Sequence, residues 1–302
     1  MQAMSLTIVI TTFNRQAVLK RLLESLSNQT DADFHVVVAI DGSTDGTEAM
    51  LQRLNTPFPL RWVNTHCEGY GLAVARNLGI LAATTELVAI IDDDCFPDTG
   101  YVAAYKQSAR RRTITGGPRA PALASDSKQV AKMVELDRLP RAEPITFDRL
   151  RQDWPRAVAT ECNIGMYRSD LIEMGLFSER LKIYAFIGQE FFARARHLGF
   201  QYQYDPDAAI VHHRQRLGDN DLSKWRRKWQ TTLATALRPS LMTPPQYEVQ
   251  VQWARRMAAA YPDPCELPPL PKSLWVAAPF RFIRNRAGDV RRRLRRMHRH
   301  GS

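Results

Sequence analysis

Short runs of apolar, often β-branched residues alternate with amphipathic segments through the first hundred residues of the chain. Residues 6–12 (LTIVITT), 34–40 (FHVVVAI) and 86–91 (ELVAII) are almost continuously apolar, as expected for strands buried on both faces. In the segment 15–28, Val18 and four leucines recur at spacings of three and four, as on one face of a helix. Strands that alternate with helices of this length predict βαβ units and a mostly parallel α/β sheet.

Polar side chains follow each of these three predicted strands. The first strand ends in Thr11 and Thr12, the second is followed by Asp41, and the third by the run DDD at 92–94. The carboxyl ends of parallel strands meet at one edge of a sheet, which is where open α/β sheets bind their ligands. We therefore expect these side chains to line a single crevice.

The aspartate run at 92–94 has two interpretations on chemistry alone. Adjacent carboxylates repel one another, and a divalent cation with oxygen ligands would relieve that repulsion. An acidic turn that caps the next helix is the alternative. An EF-hand is excluded, because the twelfth position counted from Asp92 is Ala103 instead of Glu.

The turn at 41–47 (DGSTDGT) also has two interpretations. Gly42 and Gly46 permit positive φ, and Asp45 or Thr44 can cap the following helix, so the segment can be a tight turn only. An acidic residue at the end of a buried strand can instead accept hydrogen bonds from a base or a ribose, which would give Asp41 a binding role.

The order of these motifs resembles the nucleotide-binding half of family 2 glycosyltransferases, which have the GT-A fold. Across residues 6–98 the motifs are strand-TTFNR, strand-DGSTDGT, GLAVARNLGI and strand-IDDDCFPD. The resemblance continues through CNIG with MGLFSE, and through IGQEFFARARHLGF followed by DP and His212, so that it covers residues 5–235. It implies an α/β GT-A fold, with a mostly parallel nucleotide-binding sheet flanked by helices and a helical C-terminal extension.

The resemblance assigns nucleotide-binding roles to individual residues. Thr11, Phe13 and Arg15 of TTFNR would line the nucleotide pocket. Asp41 would read the uracil edge, and Arg76 of ARN would help to hold the nucleotide. The donor implied by this set is a UDP-sugar.

The aspartate run matches the DxD motif of the family. Asp92 would lie near the ribose, Asp94 would bind the metal that bridges the diphosphate, and Asp93 takes the variable position of this cofactor-binding run. His212 matches the histidine that can complete the metal shell, although a structural histidine is the alternative. The implied cofactor is Mn²⁺ or Mg²⁺.

The general base of the family is usually the second carboxylate of an ED pair. The matching segment, 188–196, has the sequence GQEFFARAR, which places Glu190 six residues before Arg196, at the position of the base. Gln189 replaces the first acidic residue of the pair. An ordinary acidic residue in the first turn of a helix is the alternative. Direct displacement with Glu190 as base would invert the anomeric centre.

The net charge of +11 is concentrated at the C-terminal end of the chain. Residues 272–302 contain ten basic residues and one acidic one, a net charge of +9, which leaves +2 for residues 1–271. No specific nucleic acid is therefore expected as a partner of the domain.

Apolar residues from Val276 to Met297 recur at spacings of three and four, which predicts a basic amphipathic helix. It fits an anionic membrane surface, and the alternatives are packing on its own domain and nonspecific contact with nucleic acid.

Three segments follow from these patterns: a GT-A domain at 1–238, a proline-rich linker or wrap at 239–273 with a short helix near 246–260, and the basic helix at 274–302. No apolar run is long enough for a transmembrane helix, and the N-terminus lacks the features of a signal peptide. Four scattered cysteines favour free thiols. We expect a cytoplasmic location, with the basic helix as a peripheral attachment to the inner face of the cell membrane.

The sequence therefore predicts a metal-dependent, inverting glycosyltransferase of the hexosyltransferase type, with a glycan or a lipid-linked molecule as acceptor. Two alternatives remain open. A nucleotidyltransferase would need a glycine-rich phosphate loop after the first strand, and TTFNR lacks those glycines. A sugar-nucleotide-binding or degenerate module would keep the fold and lose the base.

Overall fold

The computed structural model describes residues 4–66, 71–121, 138–141, 143–154, 160–179, 187–213 and 244–260. Within these ranges the chain forms eleven strands and eight helices. The predicted basic helix at 274–302 lies outside the described residues, as does the predicted linker apart from 244–260.

The amino-terminal half alternates strands and helices as the sequence predicts. Its elements are β1 (Leu6–Thr12), α1 (Gln16–Leu26), β2 (Phe34–Ile40), α2 (Thr47–Arg53), β3 (Leu60–Asn64), α3 (Leu72–Ala82), β4 (Leu87–Asp92), β5 (Cys95–Pro97) and α4 (Tyr101–Ser108). The remaining elements are β6 (Thr113–Gly116), β7 (Arg119–Pro121), β8 (Ile145–Thr146), α5 (Phe147–Asp153), β9 (Asn163–Tyr167), α6 (Arg168–Glu173), α7 (Ile187–His197), β10 (Gln201–Tyr204), β11 (Ile210–His212) and α8 (Pro244–Ala260).

The main sheet has eight strands in the order β3-β2-β1-β4-β9-β6-β10-β8. Strands β3, β2, β1 and β4 are parallel, whereas β9 is antiparallel to both of its neighbours, β4 and β6. The fold class is therefore α/β with a mostly parallel sheet, as predicted. Because β9 is antiparallel, its first residue lies near the carboxyl end of β4, with Asn163 opposite Ile91.

Both faces of the sheet are covered at β1, β2 and β4, which explains why these strands are almost continuously apolar. In β1, Ile8 and Ile10 belong to the cluster that includes the apolar face of α1, whereas Val9 belongs to the opposite cluster with α3. The approach of α3 to the sheet is close: a Cβ atom on Gly79 would lie 2.5 Å from Val9 Cγ1. This packing fixes the carboxyl ends of the strands relative to the amino end of α3.

Helix α8 covers the segment in which the sequence predicts a short helix, and it begins two residues earlier, at Pro244. Its side chains Trp253, Ala254 and Met257 are buried in the same core cluster as α6. This part of the predicted linker or wrap is therefore packed on the domain. No helix in the described part of the chain is both long and apolar enough to span a bilayer.

Candidate functional site

The strand ends meet at one edge of the main sheet, as the sequence predicts. Thr11 of β1 lies opposite Asp92 of β4 in the parallel register, and the Asp41 amide donates to the Thr12 carbonyl. The loop after β1 turns at Asn14, which has a φ of 50°. The Asn14 carboxamide oxygen accepts a hydrogen bond from the Thr44 amide at 2.7 Å, which joins this loop to the one after β2.

Asp41 is buried at the floor of this edge. One carboxylate oxygen accepts a hydrogen bond from the Gly71 amide at 2.9 Å, and the other accepts one from the Thr65 hydroxyl at 3.4 Å. Burial raises the pKa of Asp41 despite these hydrogen bonds. The carboxylate is thereby fixed beside the first turn of α3, with lone pairs left for a further donor.

Phe13 differs from its neighbours because it is 52% exposed, whereas Thr11 and Thr12 are buried. Within the described residues it is the one large hydrophobic side chain with such exposure. It lies in the loop between β1 and α1, directly after the strand end that faces Asp92. An exposed aromatic ring at this edge offers a flat apolar surface on which a ligand can stack.

Asp92 is linked to a fully buried arginine. Its Oδ1 atom accepts hydrogen bonds from Thr11 Oγ1 at 3.2 Å and from Arg76 Nη2 at 2.8 Å. Burial alone would lower the pKa of Arg76, but the charges of Asp92 and Glu161 raise it above its ordinary value. Arg76 is 1% exposed, so in this structure it acts on the edge through Asp92 and offers no surface of its own to a nucleotide.

Asp93 has an inward role that the sequence did not indicate. Its oxygens accept hydrogen bonds from Thr12 Oγ1 at 2.7 Å and from Arg15 Nη1 at 2.9 Å. Burial raises its pKa to about 6, against the opposing charge of Arg15. Its side chain is 4% exposed and pairs with Arg15, and its place in the cofactor-binding run stays a prediction.

Asp94 and His212 lie in contact. Strand β11 pairs with β5 so that His212 is opposite Cys95, and His212 Nε2 is 3.2 Å from Asp94 Oδ1. The second oxygen of Asp94 accepts a hydrogen bond from Arg15 Nη1 at 2.9 Å. Burial would raise the pKa of Asp94, but His212 and Arg15 lower it below its ordinary value. The structure thus brings together two residues that are 118 positions apart in the sequence.

The donor set fits a hard divalent cation. One ligand atom each from Asp94, Cys95 and His212 lie within 4.8 Å of one another. Burial raises the pKa of the Cys95 thiol, which disfavours the thiolate that softer metals prefer. Carboxylate oxygen and imidazole nitrogen remain, and phosphate oxygens of a ligand would complete the shell of such a divalent cation.

Arginines also offset the negative charge of the aspartates, a role that the sequence did not predict for Arg15 or Arg76. Arg15 pairs with Asp93 and Asp94, and Arg76 pairs with Asp92. A third arginine, Arg119 of β7, places Nη2 at 2.9 Å from His212 Nδ1. The repulsion among the aspartates is therefore relieved in part by the chain itself. A sequence signal for Arg119 was lacking, because only the pairing of β7 with β11 brings it to this site.

Glu190 is in helix α7, but its carboxylate is not free. Arg194 Nε and Nη2 donate to its two oxygens at 2.8 and 2.9 Å, and both side chains are 4% exposed. Arg194 Nη1 also donates to the Met174 carbonyl. Gln189, which replaces the first acid of the family's pair, is exposed. The role of Glu190 as base stays a prediction, and the structure shows it in a closed ion pair.

Glu161, which the sequence analysis did not single out, lies at the same edge. It precedes β9 by two residues, and its Oε1 atom is 3.7 Å from Arg76 Nη1. A Cβ atom on Gly188 would lie 2.0 Å from Glu161 Oε2, so the glycine allows this carboxylate to approach α7. Its side chain is 28% exposed.

The chain is similar to known glycosyltransferases. It is 30% identical over 198 residues to validoxylamine A glucosyltransferase from Streptomyces hygroscopicus subsp. limoneus, which is 58% of this chain and 44% of that protein. The chain spans less than half the length of this relative and of two further curated relatives.

Two solved structures show the fold. The mannosyltransferase PcManGT from Pyrobaculum calidifontis, in complex with GDP-Man and Mn²⁺, has a TM-score of 0.57 at 22% identity, over 84% of this chain and 73% of that one. Residues 1–349 of S. aureus TarS, in complex with UDP-GlcNAc, have a TM-score of 0.56 at 16% identity, over 93% and 81%. The fold is therefore GT-A, as predicted.

The family follows from the sequence match. Residues 7–175 match the family model described as Glycosyl transferase family 2. The match runs from β1 through the aspartate edge to the end of α6, and it therefore includes all the strands whose ends form the site apart from β11. Since it covers more than half of the chain, the protein belongs to glycosyltransferase family 2.

Proposed function

We propose that the protein transfers a sugar from a UDP-sugar to a hydroxyl group of a glycan or of a lipid-linked acceptor, with a divalent metal and with inversion. The observation that carries this proposal is the cluster of Asp92, Asp94 and His212 at one sheet edge, beside the fixed carboxylate of Asp41. Support also comes from the structural neighbours, since TarS binds UDP-GlcNAc and PcManGT binds GDP-Man with Mn²⁺.

The nucleotide would lie across the ends of β1, β2 and β4. Phe13 provides an exposed ring for the base, and Asp41 provides acceptor atoms for the N3–H group that distinguishes uracil in our proposal. Asp92, which is 32% exposed, would accept hydrogen bonds from the ribose. The buried Arg76 side chain donates to the Asp92 carboxylate and fixes its position, so that Arg76 is a positioning residue.

Asp94 and His212 would hold Mn²⁺ or Mg²⁺, which when bound supplies positive charge beside the leaving diphosphate. The chain adds its own positive charge at this place. Arg15, whose side chain is 30% exposed, lies against Asp94, and Arg119 lies against His212. Fixed cations of this kind stabilise the charge that develops on the diphosphate as its bond to the sugar breaks.

Inversion is proposed because a single displacement places the acceptor hydroxyl opposite the diphosphate. The reaction then needs a base on the acceptor side.

The closed pair of Glu190 with Arg194 favours a second candidate function, a sugar-nucleotide-binding module without turnover. A nucleotidyltransferase has less support, because the Asn14 and Gln16 amides after β1 donate to Ser43 Oγ and Asp45 Oδ2 and are not left for a phosphate.

A screen of nucleotide sugars tests these candidates. We expect release of UDP from at least one UDP-sugar in the presence of Mn²⁺ or Mg²⁺, and loss of this release in EDTA. A preference for GDP-sugars would overturn the proposed donor, and full activity in EDTA would overturn the metal dependence. Calorimetric binding of UDP without turnover of any donor and acceptor would support the binding module instead.

The basic segment at 272–302 is proposed to attach the enzyme to the anionic inner face of the cell membrane. The proposal rests on the sequence, in which ten basic residues accompany an apolar stripe. Phosphatidylserine vesicles should co-sediment the full chain more strongly than a chain that ends at Pro271, with the difference reduced by salt. Equal sedimentation of the two chains would contradict the attachment.

A further inference from the structure

We propose that Glu161 is the carboxylate that accepts the proton of the acceptor hydroxyl. This inference rests on the proposed function, since a base of this kind is needed only if a sugar is transferred. Such a base must have an oxygen that faces the reaction crevice and is free to take a proton. Glu190 does not meet this condition, because both of its oxygens are bound by the Arg194 guanidinium in a buried pair.

The register of the sheet places Glu161 beside the aspartate run. Asn163 is opposite Ile91, so the residues before β9 extend past the carboxyl end of β4, on the level of the aspartates. The start of β9 is well anchored: Asn163 Nδ2 donates to the Pro118 and Ala208 carbonyls, and Asn163 Oδ1 accepts a hydrogen bond from Tyr105. Glu161 is thus attached to a fixed point of the site.

Glu161 and Asp92 flank a single buried guanidinium. Arg76 Nη2 donates to Asp92 at 2.8 Å, whereas Arg76 Nη1 is 3.7 Å from Glu161 Oε1, beyond hydrogen-bonding distance. Among the described residues, Arg76 Nη1 has no hydrogen-bond partner. Arg76 therefore orients the Glu161 carboxylate electrostatically while leaving its oxygens without a donor from the described part of the chain.

The accessibility of the carboxylates also separates Glu161 from the others at this edge. Asp93 and Asp94 are 4% and 9% exposed and both bind Arg15, whereas the side chain of Glu161 is 28% exposed. Asp92 has similar exposure, but its Oδ1 atom accepts hydrogen bonds from Arg76 and Thr11, and the proposed function assigns this carboxylate to the ribose. The Oε2 atom of Glu161 lies next to the first turn of α7, at Gly188, where a larger residue would collide with it.

With Glu161 as the base, every proton and electron pair of the transfer step is accounted for. The hydroxyl proton of the acceptor passes to a carboxylate oxygen of Glu161 while the hydroxyl oxygen forms a bond to the anomeric carbon. The bond between that carbon and the diphosphate oxygen breaks, and its electron pair leaves with UDP. The proton on Glu161 is then released to water.

The test compares Glu161→Gln with Glu190→Gln, using the UDP-sugar that the wild-type chain turns over. We expect Glu161→Gln to lower kcat by roughly 100-fold, with UDP affinity within twofold of wild type by calorimetry. The acidic limb of the pH profile of kcat should be lost. Glu190→Gln should retain that limb, and formate should partly restore transfer to Glu161→Ala but not change Glu190→Ala.

Different results of this test would contradict either the role of Glu161 or the proposed function. If Glu161→Gln keeps a third or more of the wild-type kcat, or if Glu190→Gln alone loses the acidic limb while it stays folded, Glu161 is not the base. If Glu161→Gln loses UDP affinity in parallel with kcat and formate has no effect, its role is to position Arg76, and the proposal is again wrong. A wild-type chain that turns over no sugar nucleotide overturns the proposed function itself.

Discussion

Substitution of Asp94 by Asn is expected to reduce sugar transfer by roughly 10³-fold, because the metal ion contributes several kcal/mol of charge stabilisation and each 1.4 kcal/mol is a factor of ten. Asn keeps the size of the side chain and removes the charge that faces His212 Nε2 at 3.2 Å. Folding should be little affected, since Arg15 keeps its second partner, Asp93. Turnover and Mn²⁺-dependent UDP binding, both measured on the same preparation, check this result.

The matched control for this variant is Asp98→Asn. Asp98 is an exposed carboxylate four residues further along the chain, directly after β5. We expect it to keep transfer and Mn²⁺-dependent binding within twofold of wild type. Undiminished transfer by Asp94→Asn, or a loss of equal size in both variants, would show that Asp94 does not hold the cation.

The local patterns of the sequence predict the parallel part of the fold well. The runs at 6–12, 34–40 and 86–91 are apolar because helices cover both faces of the sheet. When both faces of a strand are buried, apolar residues occupy nearly all of its positions, and this pattern can be recognised in the sequence. The neighbours of β9 and of β11 in their sheets could not be predicted in this way. These strands join segments that are far apart in the chain, and no local periodicity encodes their neighbours.

The same distinction applies to the site. The aspartates at strand ends could be predicted, because a strand end fixes its own position at the edge of the sheet. Their partners could not: Arg15 reaches Asp93 across 78 residues, and Arg119 reaches His212 across 93. Consequently, the inward orientation of Asp93 and the approach of Glu161 to Arg76 became apparent only in the structure.

The sequence did contain a local signal for the ion pair between Glu190 and Arg194. Glu190 and Arg194 are four residues apart, the spacing at which side chains meet on one face of a helix. The resemblance of GQEFFARAR to the family's motif favoured a catalytic interpretation of the first residue. The arginine at the fourth position, a cation on the same helix face, indicated an ion pair with equal clarity.

Substitution of Arg194 by Met is expected to lower the free energy of unfolding by about 3–5 kcal/mol, because it leaves a buried carboxylate without its partner. Both side chains of the pair are 4% exposed, so water cannot replace the lost interactions. The Met174 carbonyl loses its donor from Arg194 as well. Urea unfolding at neutral pH, followed by circular dichroism, measures the change.

Lys20→Met is the matched control, since Lys20 and Glu24 have the same four-residue spacing but side chains that are 54% and 57% exposed. An exposed pair of this kind contributes at most about 1 kcal/mol, so this variant should unfold almost as wild type does. The double variant Glu190→Leu with Arg194→Met removes both buried charges and should recover much of the stability lost in Arg194→Met. If Arg194→Met costs no more than Lys20→Met, the pair is open in solution, and Glu190 would then be available as a base.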